Sequence, residues 1–310
     1  MASQAASRLV NDKIVNNLMK IFITGATGFI GKHLVRQLAN AENNVTINLY
    51  GDESSPFESV VGIYRLGEKT ITEDIKFLAD GHFDGIIHLA SLYLTVHKPD
   101  EAVKLIDSNV RFSTYILECA AQAGISWFIN TGTFWQNYQN ADYSPVNLYA
   151  ATKQAFESIA RYYIETEQIR FVTLRLCDTY GPNDTRPKIF TLWERIARTS
   201  ETLEMSPGEQ IIDISHVDDI VSAFALLASH LHSQHAEVKN GDVFAVKATE
   251  RYTLKQLATL YEQATRTKLN ITWGARPYRN REVMVPWDNG VVVPRWKPKM
   301  DIENGIKSLI

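Results

Sequence analysis

The 310-residue sequence has little cysteine, no excess of positive charge and no long apolar run. Cys119 and Cys177 are its only cysteines, which are too few for a disulfide framework or a thiolate metal site. Its 32 basic and 35 acidic side chains give a net charge of −3, which argues against nucleic acid as a partner. Apolar stretches such as 85–96 and 220–228 are shorter than the roughly 18 residues of a membrane span. We therefore expect a cytoplasmic protein that binds neither nucleic acid nor membrane.

Tracts rich in proline or glycine and internal repeats are also absent, and hydrophobic residues make up 45% of the chain. This composition is typical of globular proteins and excludes disorder and fibrous architecture. Residues 1–18 lack the charged start and apolar core of a secretory signal, so they are predicted to be an N-terminal extension.

From Ile21 onwards, short apolar runs alternate with longer amphipathic segments. Strands are predicted at 21–23, 45–50, 85–89, 127–130, 171–176 and 242–246, and helices at 29–40, 103–123, 148–166 and 218–231. Strands separated by crossover helices form parallel sheets that are covered on both faces. The predicted fold class is α/β: a Rossmann-type, doubly wound parallel sheet with a small C-terminal α/β substrate lobe. The sheet domain is assigned to residues 19–182 and 216–248, and the substrate-binding lobe to 183–215 and 249–310.

A glycine-rich turn, TGATGFIG at 24–31, follows the first predicted strand and opens the first predicted helix. Gly25 permits a tight turn, Gly28 lets backbone N–H groups approach a pyrophosphate, and Gly31 allows close packing of helix on strand. A plain connecting turn is the structural alternative. The strand–turn–helix context predicts dinucleotide binding. The cofactor-binding residues predicted in this turn are Gly25, Thr27, Gly28, Phe29, Ile30 and Gly31.

The form of the cofactor depends on a position about 20 residues further on, where NAD-binding proteins carry an acid. Here the corresponding residues are Leu49, Tyr50 and Gly51, with Asp52 displaced into the loop. Neither NAD nor NADP is clearly selected by these residues. Because no carboxylate is placed to repel a ribose phosphate, the sequence slightly favours NADPH.

Tyr149 and Lys153 are four residues apart in a predicted helix and therefore share one face. An ammonium beside a phenol favours the phenolate, so Lys153 is expected to lower the pKa of Tyr149 for general acid/base work. Thr133 follows the predicted strand 127–130 and brings a hydroxyl to the carboxyl edge of the sheet, where it would hydrogen-bond a substrate oxygen. A surface Tyr/Lys pair and a strand-end turn are the structural alternatives.

Together with other motifs, these residues resemble the extended, nucleotide-sugar-modifying branch of the short-chain dehydrogenase/reductase superfamily. In chain order the matching motifs are the glycine turn, His88-Leu89-Ala90, Asn109-Val110, Thr133, Tyr149 with Lys153, Tyr180-Gly181-Pro182 and His216-Val217-Asp218-Asp219. The resemblance implies catalysis by Thr133, Tyr149 and Lys153, with Asn109 in support. It also implies cofactor contacts from Leu89, Ala90, Tyr149 and Lys153.

The stretch 216–219 holds one imidazole with adjacent carboxylates, which lacks the ligand-rich spacing of a metal site. We predict instead that Ser215 or Asp218 caps the helix that follows. No metal is expected.

The residues after Thr133 bear on the reaction. In the 4,6-dehydratases of the family an acidic pair follows the catalytic hydroxyl, whereas Phe134 and Trp135 stand there in this sequence. Three stretches, 130–138, 178–184 and 206–219, are similar to nucleotide-sugar 4-ketoreductases of the CDP-abequose and CDP-paratose synthase kind. That likeness implies NAD(P)H-dependent reduction of the C4 ketone of a CDP-linked 4-keto-deoxyhexose for O-antigen polysaccharide. A 4-epimerase that retains NAD and a non-catalytic NAD(P)-sensing protein stay open as alternatives.

The family pattern is broken at two positions that bear on substrate binding. Asp178 stands where much of the family has asparagine, and Ile212 where many members hold a diphosphate-binding arginine. Other cations must therefore hold the diphosphate, and each candidate is otherwise a solvated surface charge. The candidates are Arg186, Lys188, Arg195, Arg276, Arg279 and Arg281. The predicted substrate-binding residues are Thr133, Phe134, Trp135, Asp178, Arg186, Lys188 and Arg279.

Phe156, Ile159 and Tyr163 lie on one face of the predicted helix 148–166. This face is predicted to pair with a second copy of the chain, as in related enzymes. A homodimer is therefore expected.

Overall fold

We describe the protein from a computed structural model, which covers residues 18–57 and 62–310. The predicted N-terminal extension, apart from Leu18, lies outside these residues. The strands are β1 (Lys20–Thr24), β2 (Asn44–Asn48), β3 (Gly62–Tyr64), β4 (Gly85–His88), β5 (Trp127–Thr133), β6 (Arg170–Leu176), β7 (Asp178–Tyr180), β8 (Leu203–Met205), β9 (Ile211–Ile212), β10 (Ile214–His216), β11 (Val243–Val246), β12 (Tyr252–Thr253) and β13 (Ile271–Trp273). The α-helices are α1 (Phe29–Asn40), α2 (Ile71–Asp80), α3 (Pro99–Ile106), α4 (Phe112–Gln122), α5 (Leu148–Glu165), α6 (Ile189–Thr199), α7 (Val217–His232), α8 (Leu254–Thr265) and α9 (Ile302–Lys307).

In the described part of the chain, seven strands form one parallel sheet in the order β11-β6-β5-β4-β1-β2-β3. The chain winds to one side of β1 and then returns to the other, so the order reverses between β1 and β4. Helices α1 and α7 cover one face, whereas α2, α4 and α5 cover the other. The predicted α/β fold, a Rossmann-type doubly wound sheet, is confirmed.

The apolar run of β1 shows how the sequence specifies this arrangement. Successive side chains of a strand point to opposite faces of the sheet. Ile21 and Ile23 pack into the core beside α1 and α7, and Phe22 packs into the core beside α4 and α5. All three are fully buried. A parallel sheet that is covered on both faces therefore requires strands with continuous apolar runs. Such runs in the sequence are what predicts the strands.

Several element boundaries differ from the predictions. The predicted helix 103–123 starts earlier, at Pro99, and is α3 and α4 joined by a π-helical turn, Asp107–Arg111. The predicted strand 127–130 continues to Thr133 as β5. Its polar side chains donate hydrogen bonds inside the sheet: Asn130 donates to the Thr173 hydroxyl (3.2 Å), and Thr131 donates to the backbone carbonyl of His88 (2.9 Å). This continuation makes Thr133 the last residue of a buried strand.

The smaller lobe has its own core, to which α6, α8 and α9 contribute. Phe190 and Trp193 of α6 pack there with Tyr261 of α8. The C-terminal segment departs from this pattern, because Val293 and Trp296 pack into the core of the large sheet. The boundaries of the two predicted domains stay a prediction.

The predicted pairing face of α5 is wrong. Phe156 and Tyr163 are buried in the core between the sheet and α4, and the Tyr163 hydroxyl donates to Glu118 (2.6 Å). Ile159 is the member of the set that reaches the surface. The helical spacing was correct, but the apolar stripe of α5 faces inward. The homodimer itself stays a prediction.

The predicted caps of α7 are also wrong. His216 is the N-cap, and its Nδ1 accepts a hydrogen bond from the backbone N–H of Asp218 (3.2 Å). Ser215 lies inside β10. Among the described residues, no group of three or more His, Cys, Asp or Glu side chains is arranged to hold a metal ion. None of the helices described is long and apolar enough to cross a bilayer.

Candidate active site

A cavity of about 1270 Å³ opens at the carboxyl ends of β1, β4, β5 and β6, between the sheet and the smaller lobe. This edge of a doubly wound sheet, at the point where the strand order reverses, is where such folds bind ligands. Most of the predicted site residues line the cavity. These are Gly25, Gly28, Phe29, Ile30, Gly31, Leu89, Thr133, Phe134, Trp135, Tyr149, Lys153, Asp178, Arg186, Lys188 and Arg279. Thr27, Ala90 and Asn109 do not line it.

The glycine turn has the geometry of a cradle for an anionic group. Gly25 has a φ of +71°, and a Cβ there would lie 2.5 Å from the backbone nitrogen of Ala90. A Cβ on Gly31 would lie 2.2 Å from the carbonyl oxygen of Gly25. Gly28 is the N-cap of α1, and within the described residues no side chain caps this helix and no acid occupies its first turn. The first N–H groups of α1 are therefore available to a pyrophosphate, so the turn fits a dinucleotide.

Thr133 ends β5 with its hydroxyl at the cavity wall. The hydroxyl oxygen accepts a hydrogen bond from the backbone N–H of Trp135 (3.3 Å), which leaves the hydroxyl proton for another acceptor. Tyr149 and Lys153 lie in the first two turns of α5. Asn147 caps this helix by accepting a hydrogen bond from the N–H of Ala150 (3.0 Å). The cap fixes the start of α5, and with it the position of Tyr149 against the cavity.

A cluster of aromatic rings borders Tyr149. Tyr93, in the loop after β4, packs edge-on against Tyr149 with ring centroids 5.1 Å apart, and Trp135 lies 5.7 Å from Tyr93. Lys188 reaches this cluster from the smaller lobe. Its Nζ donates to the Tyr93 hydroxyl (3.0 Å) and to Asp178 (3.2 Å). Lys188 therefore bridges the cavity from one lobe to the other.

The other cations predicted for substrate binding also have partners within the protein. Arg186 donates to both carboxylate oxygens of Asp184 (2.8 and 2.7 Å), and Arg279 pairs with Glu282 (3.1 Å). The remaining candidates differ in position, because Arg276 and Arg281 line the cavity and Arg195 does not. Apart from Arg195, the positive charges predicted from sequence are thus present at the cavity, each beside a carboxylate or a polar group.

Comparison with known proteins identifies the family. Residues 21–241 match the NAD dependent epimerase/dehydratase family. The chain belongs to this family. The match begins in β1 and ends just before β11, so it includes the glycine turn, Thr133, Tyr149 and Lys153.

Individual relatives of this epimerase/dehydratase chain fall into two groups. It is 28% identical to the CDP-abequose synthase of Salmonella typhimurium, with 94% of this chain and 97% of the relative covered. It is 27% identical to the CDP-abequose synthase of Yersinia pseudotuberculosis, with 86% and 92% covered. Among solved structures it resembles the UDP-glucose 4-epimerase of Thermotoga maritima, with a TM-score of 0.78, 20% identity, and 93% of this chain and 96% of that one covered. At that identity the structural likeness shows the shared fold.

In this member of the epimerase/dehydratase family, burial controls the charge state of the Tyr/Lys pair. Burial raises the pKa of Tyr149 above its ordinary value of 10, and the smaller opposing effects come from Ser91 and Arg186. Burial also lowers the pKa of Lys153 to about 8, against the effect of the Glu157 carboxylate. The predicted net lowering of the Tyr149 pKa is therefore wrong, because loss of solvation outweighs the effect of any nearby positive charge. The phenol is protonated at neutral pH.

Glu53, which the sequence analysis did not consider, contacts the glycine turn without lining the cavity. β2 ends at Asn48, and the loop that follows turns back towards the glycine turn. There the Glu53 carboxylate accepts hydrogen bonds from the Thr27 hydroxyl and from the backbone N–H of Tyr50, both at 3.1 Å. An acid thus lies beside the glycine turn, a few positions after 49–51. The expectation of NADPH rested on the lack of such an acid, and it stays a prediction.

Asn109 supports the site without reaching the cavity. It is buried in the π-helical turn, where its oxygen accepts from the Ser91 hydroxyl (3.1 Å) and the Leu92 N–H (2.8 Å). Its nitrogen donates to the Leu92 carbonyl (2.9 Å) and to the Thr152 hydroxyl (3.0 Å). Asn109 therefore ties the loop after β4 to α5. Ser91 and Tyr93 of this loop line the cavity and were missed, although they directly follow the His88-Leu89-Ala90 motif.

Proposed function

We propose that this protein reduces the C4 ketone of a CDP-linked 4-keto-deoxyhexose with a reduced nicotinamide dinucleotide, a step in the formation of O-antigen sugars. The observation that carries the proposal is the arrangement of Thr133, Tyr149 and Lys153 on one cavity that also includes the uncapped glycine turn. The CDP-abequose synthases support the choice of substrate, because they match this chain over nearly their whole length.

Each residue of this set has a distinct part in the reaction. When bound, the nicotinamide supplies the hydride for C4. The Thr133 hydroxyl donates a hydrogen bond to the ketone oxygen, since its own oxygen already accepts the Trp135 N–H. Tyr149, protonated because of its burial, transfers its proton to the developing alkoxide. Lys153 in its ammonium form then stabilises the phenolate that remains.

The residues that follow Thr133 favour reduction over dehydration. Phe134 packs against Trp287 (5.2 Å between ring centroids), and Trp135 packs against Tyr93. Elimination of water needs a proton donor and acceptor beside the sugar, and neither aromatic ring can exchange a proton. The positions that carry the acidic pair of the 4,6-dehydratases therefore form an apolar wall here.

The cations beside the cavity are proposed to hold the nucleotide diphosphate. Arg186, Lys188 and Arg279 each have a carboxylate partner, so an incoming diphosphate would compete with that carboxylate. The pKa of Lys188 is raised by Asp178 and Tyr93 in spite of burial, so this side chain keeps its charge. The assignment of residues 183–215 and 249–310 to substrate binding belongs to this proposal.

NADH is proposed as the cofactor. The Glu53 carboxylate lies beside Thr27 in the glycine turn, where it suits the two ribose hydroxyls of NADH and opposes an added phosphate. This proposal replaces the expectation of NADPH that rested on the sequence.

The deciding experiment mixes the purified protein with a CDP-4-keto-deoxyhexose and either NADH or NADPH, and follows the absorbance of the reduced nicotinamide together with the sugar product. Stoichiometric loss of absorbance with formation of the alcohol supports the reductase. Conversion of a 4-hydroxy sugar nucleotide without net loss would instead establish the 4-epimerase that retains NAD. Tight cofactor binding without turnover of either kind would support the sensing protein and refute the reductase.

A further inference from the structure

A network of buried polar side chains lies directly behind Thr133. The backbone N–H of Thr133 donates to Oε1 of Gln136 (2.9 Å), a residue with no exposed surface. Nε2 of Gln136 donates to Gln154 and to Glu157, both at 2.9 Å. Glu157 in turn accepts a hydrogen bond from Arg175 (2.7 Å). The network thus joins the end of β5 to α5 and β6.

Close packing fixes the members of this network. Gly132, the residue before Thr133, pairs with Arg175 in the sheet register. A Cβ at Gly132 would lie 2.8 Å from Cγ of Arg175 and 3.0 Å from the nearest side-chain oxygens of Gln136 and Glu157. The absence of a side chain at Gly132 therefore leaves the space that the network fills. Both the oxygen and the nitrogen of the Gln136 amide have partners, so the amide has one favourable orientation.

Stability of the fold alone is an insufficient explanation for the network. The same Thr-x-x-Gln capping box occurs at the start of α8, where Gln256 accepts the N–H of Thr253 (2.8 Å) from an exposed position. At β5 the box is instead buried and connected to an Arg–Glu pair. Taking such a pair out of water costs about as much free energy as its attraction returns, so burial of the pair adds little net stability. The burial of this pair is explained if the network holds the residues around Thr133 in a more precise position.

We propose that Gln136, held by Glu157 and Arg175, is a positioning residue that fixes the Thr133 hydroxyl relative to Tyr149. The helix α5 carries Tyr149 and Lys153 towards the cavity, and one turn further it carries Glu157 into the network. The positions of Tyr149, the proton donor, and Thr133, which orients the ketone, are thus fixed by one connected group of hydrogen bonds. This inference rests on the proposed function, because it takes Thr133 to act on the substrate oxygen.

Substitution Gln136→Met keeps the size of the side chain and removes the acceptor of the Thr133 N–H. A displacement of a catalytic group by about 1 Å can cost roughly 100-fold in rate, so we expect kcat to fall by about 10- to 100-fold. The KM for the sugar nucleotide and the Kd for NADH should change by less than about twofold, since Gln136 contacts neither. Gln256→Met is the matched control, because it removes the same capping box from α8, and it should leave kcat unchanged.

A double-mutant cycle separates positioning from a general structural role. If Gln136 acts through the Thr133 hydroxyl, then Gln136→Met should lower kcat in the wild-type protein and have no further effect in Thr133→Val. Effects that multiply in the double variant would overturn the positioning role, while wild-type turnover would still support the proposed function. A wild-type protein without turnover on either a keto or a hydroxy sugar nucleotide would overturn both.

The variant Gln136→Glu supplies a readout that a purely structural residue would not change. The introduced carboxyl faces Glu157 on α5 and Arg175 on β6, and two carboxylates that share one site raise the pKa of one of them. When that group is protonated, it can again donate to Glu157 and accept the Thr133 N–H. We expect kcat of this variant to rise as the pH is lowered, unlike that of the wild type. Parallel pH profiles of the two proteins would contradict the proposal.

Discussion

Thr27 in the glycine turn donates its hydroxyl hydrogen to the carboxylate of Glu53, across 3.1 Å, and so links the start of α1 to the loop after β2. Arg65 holds the same loop, since it donates to the backbone carbonyls of Gly51 and Glu53. A carboxylate is thereby kept beside the glycine turn, and in the proposed function it meets the adenosine ribose of NADH.

Glu53→Gln is expected to relax the choice between NADH and NADPH. The carboxylate repels the additional phosphate of NADPH, and like charges that face each other cost binding free energy. The wild type should favour NADH by roughly tenfold or more in kcat/KM, and the variant should lose most of that preference. Initial rates with both cofactors would measure it. Asp52→Asn, which removes an exposed acid from the same loop, is the control, and an equal effect of both substitutions would argue against a specific role for Glu53.

Tyr149→Phe is expected to lower turnover by about 100-fold or more while the affinity for NADH changes little, because the substitution removes a proton donor and leaves the ring in place. Steady-state rates would measure the loss of turnover, and fluorescence titration would measure the affinity for NADH. Tyr162→Phe serves as the control, since Tyr162 lies on the exposed side of the same helix. Full activity in Tyr149→Phe would eliminate the phenol as the proton donor.

The value of kcat/KM is expected to fall above a pH of about 8. Burial lowers the pKa of Lys153 to about 8, so its stabilising positive charge is lost as the pH rises through that value. The titratable groups that interact with it are Glu157 and His88, and His88 stays neutral because burial lowers its pKa to about 3. The Glu157 carboxylate favours the ammonium form. Glu157→Gln should therefore move the alkaline limb to lower pH, and a limb that stays in place would show that another group titrates.

Lys153→Met is expected to raise the free energy of unfolding at neutral pH. The pKa of Lys153 is about 8 in the folded protein against 10.5 for an ordinary lysine, so below pH 8 the folded state carries the full cost of a buried ammonium. Between these two values the unfolded chain binds more protons, and the wild type gains stability as the pH rises. The difference between variant and wild type, on the order of 3 kcal/mol at pH 7, should shrink towards pH 10. Urea unfolding at several pH values would measure it, and a gap that is constant with pH would refute the assignment.

The sequence predicted the sheet because continuous apolar runs such as 21–23 are sufficient to mark strands that are buried on both faces. It also brought Thr133 to the carboxyl edge of the sheet, since this residue follows a predicted strand. The joint action of Thr133 with Tyr149, which lies in a helix, was implied by the family resemblance. It did not predict that β5 extends through Asn130 and Thr131, because these polar residues are paired with Thr173 and His88, which are distant in sequence. The raised pKa of Tyr149 was missed for the same reason: solvation depends on packing, which spacing along a helix does not report.

The C-terminal segment limits how the cavity can open. Val293 and Trp296 are seated in the core of the sheet, and Trp287 contacts Phe134 beside Thr133. A hinge that swung the smaller lobe outward would have to pull these rings and methyl groups into water, which is costly. We therefore expect ligand entry to depend on movements of single side chains at the rim. Lys188 lies at this rim, and it would have to give up its hydrogen bonds to Tyr93 and Asp178 when a ligand enters.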